Sequence, residues 1–329
     1  MTDTDGNLHL IVMGTGPFGV PMFRRLLESG RPIAALVTQP DRPRHGRSVA
    51  PRNPMRELAE QHEIEVFAPE SINTPEAHAK LVECNADLLV VCDYGQILSR
   101  ATLAATRLGG INLHGSLLPK YRGAAPIQWA IYRGETETGV SVLHITPQLD
   151  AGPVIVQLRT PIGPAETAAQ LEPRLAELGA AAVESALTEL EVHEITSAVV
   201  QEPALASKAP RLKKSDGLVD WGRSAAAIFN QVRAFTPWPK SYTFWQPPSG
   251  QPLRLILEEV APLPPGEAAS PGSILTTDKE LIVACGEGRL AIPRLQPAGK
   301  RVLSTAEFLR GYPVRSGQVF CDGVAGAGP

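Results

Sequence analysis

Hydrophobic residues along this chain follow two rhythms, and the change between them divides it. Up to about residue 190, short apolar runs alternate with longer amphipathic stretches. Leu8 to Met13, Arg31 to Val37 and Asp87 to Cys92 are dominated by aliphatic side chains, as strands covered on both faces of a parallel sheet must be. Shorter strands are expected at Ile64–Phe67 and at the run that ends in Asn112 and His114. Helical spacing lies between them: one stretch ends at Leu27, one covers Met55–His62 and one covers Thr74–Cys84. Thr74 is a fitting N-cap for the last, with Pro75 at its first helical position. Thr138–Ile145 alternates instead, with Val140, Val142 and His144 on one face. Val154–Leu158 reads as its neighbour, and Thr167–Leu190 as a helix whose start Pro173 delays or kinks. Strands alternating with helices predict an α/β fold, a Rossmann-like, doubly wound and mostly parallel sheet.

Beyond Asp220 the rhythm changes. Ser224–Phe235 is helical and is stopped by Pro237, Trp238 and Pro239. Short strands follow at Leu253–Glu258, Gly272–Thr276, Leu281–Ala284 and Leu290–Leu295, with glycine and proline turns between several of them. That pattern predicts a small C-terminal β-barrel (OB-like). The organisation expected is an α/β domain over 1–191, a basic linker over 192–215, a barrel over 216–315 and a disordered, Gly-rich tail over 316–329.

With 43% hydrophobic and 20% charged residues in 329, the chain reads as globular, and its net charge of −3 does not recruit nucleic acid globally. Any such contact needs a local patch. Two exist. The loop from Gln39 to Pro54 carries Arg42, Arg44, Arg47 and Arg52, and its four prolines keep it from being helical. The segment SKAPRLKK carries Lys208, Arg211, Lys213 and Lys214. On composition alone each is either a solvated surface or a phosphate-binding arm. The four cysteines lack CxxC spacing and no apolar run is long enough to cross a membrane, so a reduced, cytoplasmic protein with no membrane partner is expected. The polar N-terminus has no signal-peptide pattern, and no metal is expected.

Two stretches carry candidate chemistry. Gly14 to Gly19 formally spells GxGxxG after a strand, with Asp41 at a distance suited to a ribose contact. Against a dinucleotide stand Pro17, which lacks an N–H, and the proline-rich loop around Asp41; a structural turn that shapes a cleft fits better. The second stretch joins Asn112, His114 and Asp150 with a Gly-Ser-Leu-Leu-Pro turn and the small residues Gly123 to Pro126. An amide donates without titrating, an imidazole moves a proton, and a carboxylate orients the imidazole or takes a proton from an amine. No nucleophile elbow accompanies them, so the set suits direct acyl transfer to an amine. N-x-H is a common pattern, and spacing alone leaves this open.

The run INLHGSLLPKYRGAAPIQWAI with the later Asp150-Ala151-Gly152 closely resembles the folate-dependent formyltransferases. Phe18-Gly19, VTQPDRP at 37–43, the Ala234–Pro239 motif and QPAGK at 296–300 narrow the resemblance to the tRNA-acting branch, from about Leu8 to Leu309. It implies that Asn112, His114 and Asp150 are the catalytic set and that Ser116, Leu117, Leu118 and Pro119 line the folate site. It also implies transfer of formyl from 10-formyltetrahydrofolate, as co-substrate, to the α-amine of methionine on initiator tRNA, by a protein read here as a monomer. Arg42, Arg44, Arg47, Lys208, Arg211, Lys213 and Lys214 then become tRNA contacts. The arginine loop lacks the lysines usual in the family, so Arg44 and Arg47 both stand as its central cation, and Asp93 stands where a small residue is commoner. Three rivals are an amino-sugar or glycinamide ribonucleotide formyltransferase, a dinucleotide-binding oxidoreductase and a non-catalytic RNA-binding protein.

Overall fold

The computed structural model describes residues 7–42, 53–192, 198–248, 250–266, 268–275 and 279–321. They form two compact units. The first comprises 1–126, 137–161 and 171–210, and the second 127–136, 162–170 and 211–329.

The first unit is built on a seven-stranded sheet. In chain order its strands and helices are β1 (Leu10–Gly14), α1 (Val20–Glu28), β2 (Ile33–Val37), α2 (Pro54–Gln61), β3 (Val66–Phe67), α3 (Pro75–Glu83), β4 (Leu88–Cys92), α4 (Arg100–Leu103), β5 (Gly110–His114), β6 (Glu137–His144), β7 (Val154–Pro161) and all but the first turn of α6 (Ala168–Val192); α5 (Pro126–Tyr132), which links β5 to β6, falls in the second unit from Ile127 on. The strand order is β3-β2-β1-β4-β5-β6-β7. The first five run parallel, while β6 and β7 are antiparallel additions at one edge. The mostly parallel, doubly wound sheet expected from the sequence is therefore present. Every residue of β1 and β4 is buried, which is why their sequences carry no polar alternation. The order reverses between β1 and β4, and ligands of such sheets bind beyond the carboxyl ends of the strands at that reversal. Thr74 caps α3 by accepting from the Ala77 N–H at 3.2 Å, with Pro75 at its first position. Helix α6 begins at Ala168, ahead of Pro173, so the proline does not delay it.

The second unit wraps a six-stranded antiparallel sheet around its own core. Its elements are α7 (Ala225–Ala234), β8 (Ser241–Trp245), β9 (Leu253–Leu263), β10 (Ile282–Ala284), β11 (Arg289–Pro297), β12 (Leu303–Ser304), α8 (Thr305–Gly311) and β13 (Phe320–Cys321). The order is β10-β11-β9-β8-β13, with β12 on β11. Of the strand expected at Gly272–Thr276, the described residues as far as Leu275 form two isolated bridges, Ile274 to Val283 and Ser273 to Val319, and Thr276 lies outside the described residues. Those bridges join the β10 edge to the chain entering β13, and so close the barrel. The tail expected to be disordered is ordered as far as Cys321. Phe320 is buried, stacks on Trp221 at 5.7 Å and carries β13 onto β8; residues 322–329 lie outside the described ones. Strand β8 directly follows the proline break and buries Ser241, Thr243 and Trp245 in alternation. Among the described residues, no helix is long and apolar enough to cross a membrane.

Candidate active site

The carboxyl end of β5 delivers Asn112 and His114 two residues apart, so both side chains leave the same face of the sheet. Asp150 reaches them from the turn between β6 and β7. Its backbone is left-handed, with φ of +51°, a conformation that Asp tolerates better than most residues. The Asn112 amide approaches Asp150 Oδ1 at 3.5 Å, and His114 Nδ1 lies 3.7 Å from Asp150 Oδ2. Both the imidazole and the carboxylate are over nine-tenths buried. His114 Nε2 sits 2.9 Å from the Tyr121 carbonyl. A carbonyl only accepts, so Nε2 carries the hydrogen and Nδ1 is the nitrogen left to exchange a proton. The ring is thus oriented by Tyr121, and Asp150 faces its working nitrogen. A short bond to the carboxylate comes from the Gly123 N–H, at 2.8 Å from Oδ2.

The turn after β5 is held from beneath. Ser116 is fully buried, and its hydroxyl donates to the Lys120 carbonyl at 2.7 Å. Ser141 of β6 donates to the Ser116 carbonyl at 2.7 Å and accepts from the Leu118 N–H at 3.1 Å. Gln157 of β7 donates to the Leu118 carbonyl at 3.0 Å. These bonds occupy Ser116 and the Leu118 backbone, so Leu117 and Pro119, both half-buried, are what the turn presents outward.

A third segment, after α6, straps the site. Val199 pairs with Val154 at the start of β7. Further on, the Arg122 N–H donates to the Ser207 carbonyl at 2.8 Å, and the Ala209 N–H donates back to the Arg122 carbonyl at 2.7 Å. Between these two anchors lies Gln201, buried to 7% exposure. Its amide nitrogen donates to the carbonyls of Asp150 at 2.9 Å and Gly152 at 2.7 Å. Its oxygen accepts from Arg122 Nη2 at 2.7 Å and Nε at 3.1 Å.

The glycine turn after β1 is occupied from within. A Cβ at Gly16 would stand 1.9 Å from Asp93 Oδ2 at the end of β4. The start of the first helix therefore faces a carboxylate, where a dinucleotide would have to bring its phosphates. Asp93, singled out as a departure, thus removes the chemistry on which the oxidoreductase reading depends. Burial raises the carboxyl of Glu172, and Asp93 adds to that in the same direction.

The Formyl transferase profile matches residues 7–187, and the profile of the formyl transferase C-terminal domain matches residues 211–313. A methionyl-tRNA formyltransferase of Rhodopirellula baltica is 44% identical over 322 residues, covering 95% of this chain and 96% of its own. That of Geobacter sulfurreducens is 43% identical, covering 94% and 96%. The chain belongs to the methionyl-tRNA formyltransferase family. It is a formyl transferase, and the solved structures it is similar to agree in fold. An N-formyltransferase from Helicobacter canadensis, in complex with folinic acid and dTDP-3-aminofucose, superposes with a TM-score of 0.62 at 17% identity, covering 87% of this chain and 98% of its own. HypX from Aquifex aeolicus, in complex with tetrahydrofolic acid, gives 0.58 at 15% identity over 92% of this chain, which spans about half of HypX at 47%.

For this formyl transferase, the structure brings Asn112, His114, Asp150 and the Ser116–Pro119 turn together in one unit. Arg42 lies just beyond β2 and is ion-paired with Glu70, both side chains largely exposed. Arg44 and Arg47 lie outside the described residues. Lys208 is exposed on the strap, in the stretch that pairs with Arg122; Arg211, Lys213 and Lys214 are exposed in the second unit. Sequence reasoning missed Tyr121, Ser141, Gln157 and Gln201. Ser141, Gln157 and Gln201 act through backbone partners distant in sequence, and Tyr121 acts through its own carbonyl on the His114 ring, contacts for which no spacing rule exists.

Proposed function

We propose that the protein transfers the formyl group of 10-formyltetrahydrofolate to the α-amine of methionine on initiator tRNA, with Asn112, His114 and Asp150 as the reacting set. The observation that carries this reading is the convergence of an amide donor and an imidazole nitrogen on one buried carboxylate, at 3.5 and 3.7 Å from it. That donor set fits a formyl carbonyl and an amine, and the cofactor supplies the carbonyl carbon and a nitrogen leaving group. Asp150 takes a proton from the α-ammonium, and the freed amine adds to the formyl carbon. Asn112 and the Nδ1–H of charged His114 hold the oxygen as it gains charge. His114 gives its Nδ1 proton to N10 as the carbon–N10 bond breaks, and Nδ1 then takes the second proton from the adding nitrogen, while Asp150 releases the first to solvent. N-formylmethionyl-tRNA and tetrahydrofolate result. The 3.5 and 3.7 Å separations suit this order of events, since such bonds are commonly long before the transition state and tighten within it.

Arg42, Arg44 and Arg47 together with Lys208, Arg211, Lys213 and Lys214 supply phosphate contacts, and Leu117 and Pro119 face the folate. All four cysteines are free, which supports a reducing, cytoplasmic setting. One chain carries the whole set in a single unit, which fits a monomer. Single-turnover formylation of initiator methionyl-tRNA, beside an elongator methionyl-tRNA, tests the reading. Rapid formylation of the initiator alone is expected. Formylation of an amino-sugar nucleotide with none of either tRNA would overturn it.

A further inference from the structure

We propose that Gln201 is a positioning residue for formyl transfer, holding Asp150 in its working conformation from the strap that follows α6. The inference rests on the role given above to Asp150. Three observations carry it. Gln201 is a polar side chain almost removed from solvent, and all of its hydrogen bonds go to the two segments that meet at the carboxylate. Its amide hydrogens go to the carbonyls of Asp150 and Gly152, which brackets the left-handed residue on its own turn. Its oxygen goes to Arg122, the residue before the Gly123 N–H that binds the carboxylate. One planar amide therefore fixes the backbone from which Asp150 projects and also the neighbour that grips its side chain.

The left-handed conformation makes the clamp necessary. A non-glycine residue there is held only where its surroundings over-determine it. Val199 anchors the strap beside β7, and Ser207 and Ala209 anchor it beside Arg122, so the strap is fixed on both sides of Gln201. The Asp150 contacts to Asn112 and His114 are long, and the clamp sets how far the carboxylate must travel to close them.

The charge pattern suggests a pair of substitutions that separates the two halves of the clamp. Gln201→Glu keeps an acceptor for Arg122 and loses the donor to the two carbonyls. Gln201→Met keeps the shape and loses both. Single-turnover formylation is measured for each on the full-length protein, with thermal melting and folate affinity as controls. The expected result is a loss of about 10²-fold in the rate of the chemical step for both variants. Folate affinity and the KM for tRNA stay near wild type. A wild-type rate for Gln201→Glu would overturn the proposal, since the amide would then serve only to brace Arg122.

A double-mutant cycle gives the second test. In an Asp150→Ala background, Gln201→Met should cost nothing further. A full, additive loss there would show that Gln201 acts independently of Asp150 and would also overturn the proposal. If Asp150→Ala itself ran at the wild-type rate, the reading of the active site would fail, and that outcome is distinct from a failure of the clamp. A variant that no longer melts cooperatively or binds folate is replaced by Gln201→Asn. This keeps both donor and acceptor on a shorter arm, and it should retain more rate than whichever of the other two variants folds; an equal or greater loss would count against the clamp.

Discussion

Replacing Gly123 with alanine tests how tightly Asp150, the carboxylate proposed to take part in the reaction, is placed. Gly123 has φ of +128°, open to glycine and strained for any other residue. A Cβ there would lie 2.5 Å from the Ala209 carbonyl oxygen. That oxygen cannot swing aside, because it accepts from the Ala125 N–H at 3.2 Å, and the Ala209 N–H is held by the Arg122 carbonyl. Relief to an ordinary contact of roughly 3.5 Å requires the two segments to part by about 1 Å. The 2.8 Å bond from Gly123 to Asp150 Oδ2 would then stretch beyond the range in which such bonds hold. Backbone strain should cost about 1–3 kcal/mol of stability. Misplacement of the carboxylate should lower the single-turnover rate about 10²-fold. The assay is rapid-quench formylation of initiator methionyl-tRNA at saturating folate, with folate affinity and the melting curve followed in parallel. A folded variant within about twofold of the wild-type rate would refute the reasoning, since a misplacement of this size should be far more costly. So would a fall in folate affinity matching the fall in rate, which would place the damage in the cofactor turn.

Alanine at Asn112 or at His114 should lower turnover by roughly 10²–10³ with little change in KM, read from steady-state kinetics. Alanine at Lys208, Arg211, Lys213 or Lys214 should weaken tRNA binding and make the slope of log affinity against log salt shallower by about 1 per charge, with folate affinity unchanged. Asn53 caps α2 by accepting from the N–H groups of Met55 and Arg56, and its amide donates to the buried Thr38 hydroxyl at 2.8 Å. Asn53→Ala should therefore lower the urea midpoint, at a cost of about 2 kcal/mol, without changing m. Burial raises the Tyr94 hydroxyl to about 12 and the Cys285 thiol to about 11. Both groups are neutral below their unfolded values and ionise more readily in the unfolded chain. Their stabilising contribution is complete below about pH 9, and urea melts should weaken as pH rises from there through 11 to 12.

The parallel sheet was legible because β1 and β4 are buried on both faces and say so in unbroken aliphatic runs. Asn112 and His114 were legible as a pair because strand period two places them on one face. Asp150 is 38 residues from Asn112, and their meeting depends on the antiparallel turn between β6 and β7, which the resemblance supplied and the spacing did not. Gln201 lay in a stretch that reads as a polar connector. Its burial follows from the pairing of Val199 with Val154, a single bridge with no periodic signature. The second unit was legible as a set of short strands. Its closure was not, because two bridges at Ser273 and Ile274 and the aromatic packing of Phe320 are tertiary events.

The strap has a consequence for the order in which the molecule is made. A chain emerging from the ribosome has all seven strands of the sheet once Pro161 is out, and its long covering helix once Val192 is out. The loops bearing Asp150 and Gly123 are still unclamped at that moment, because Gln201, Ser207 and Ala209 have not been synthesised. Activity therefore arises later than the fold that houses it. A fragment cut after α6, close to where the Formyl transferase match ends at residue 187, would carry Asn112, His114 and Asp150, the proposed reacting set, and should still transfer formyl groups poorly.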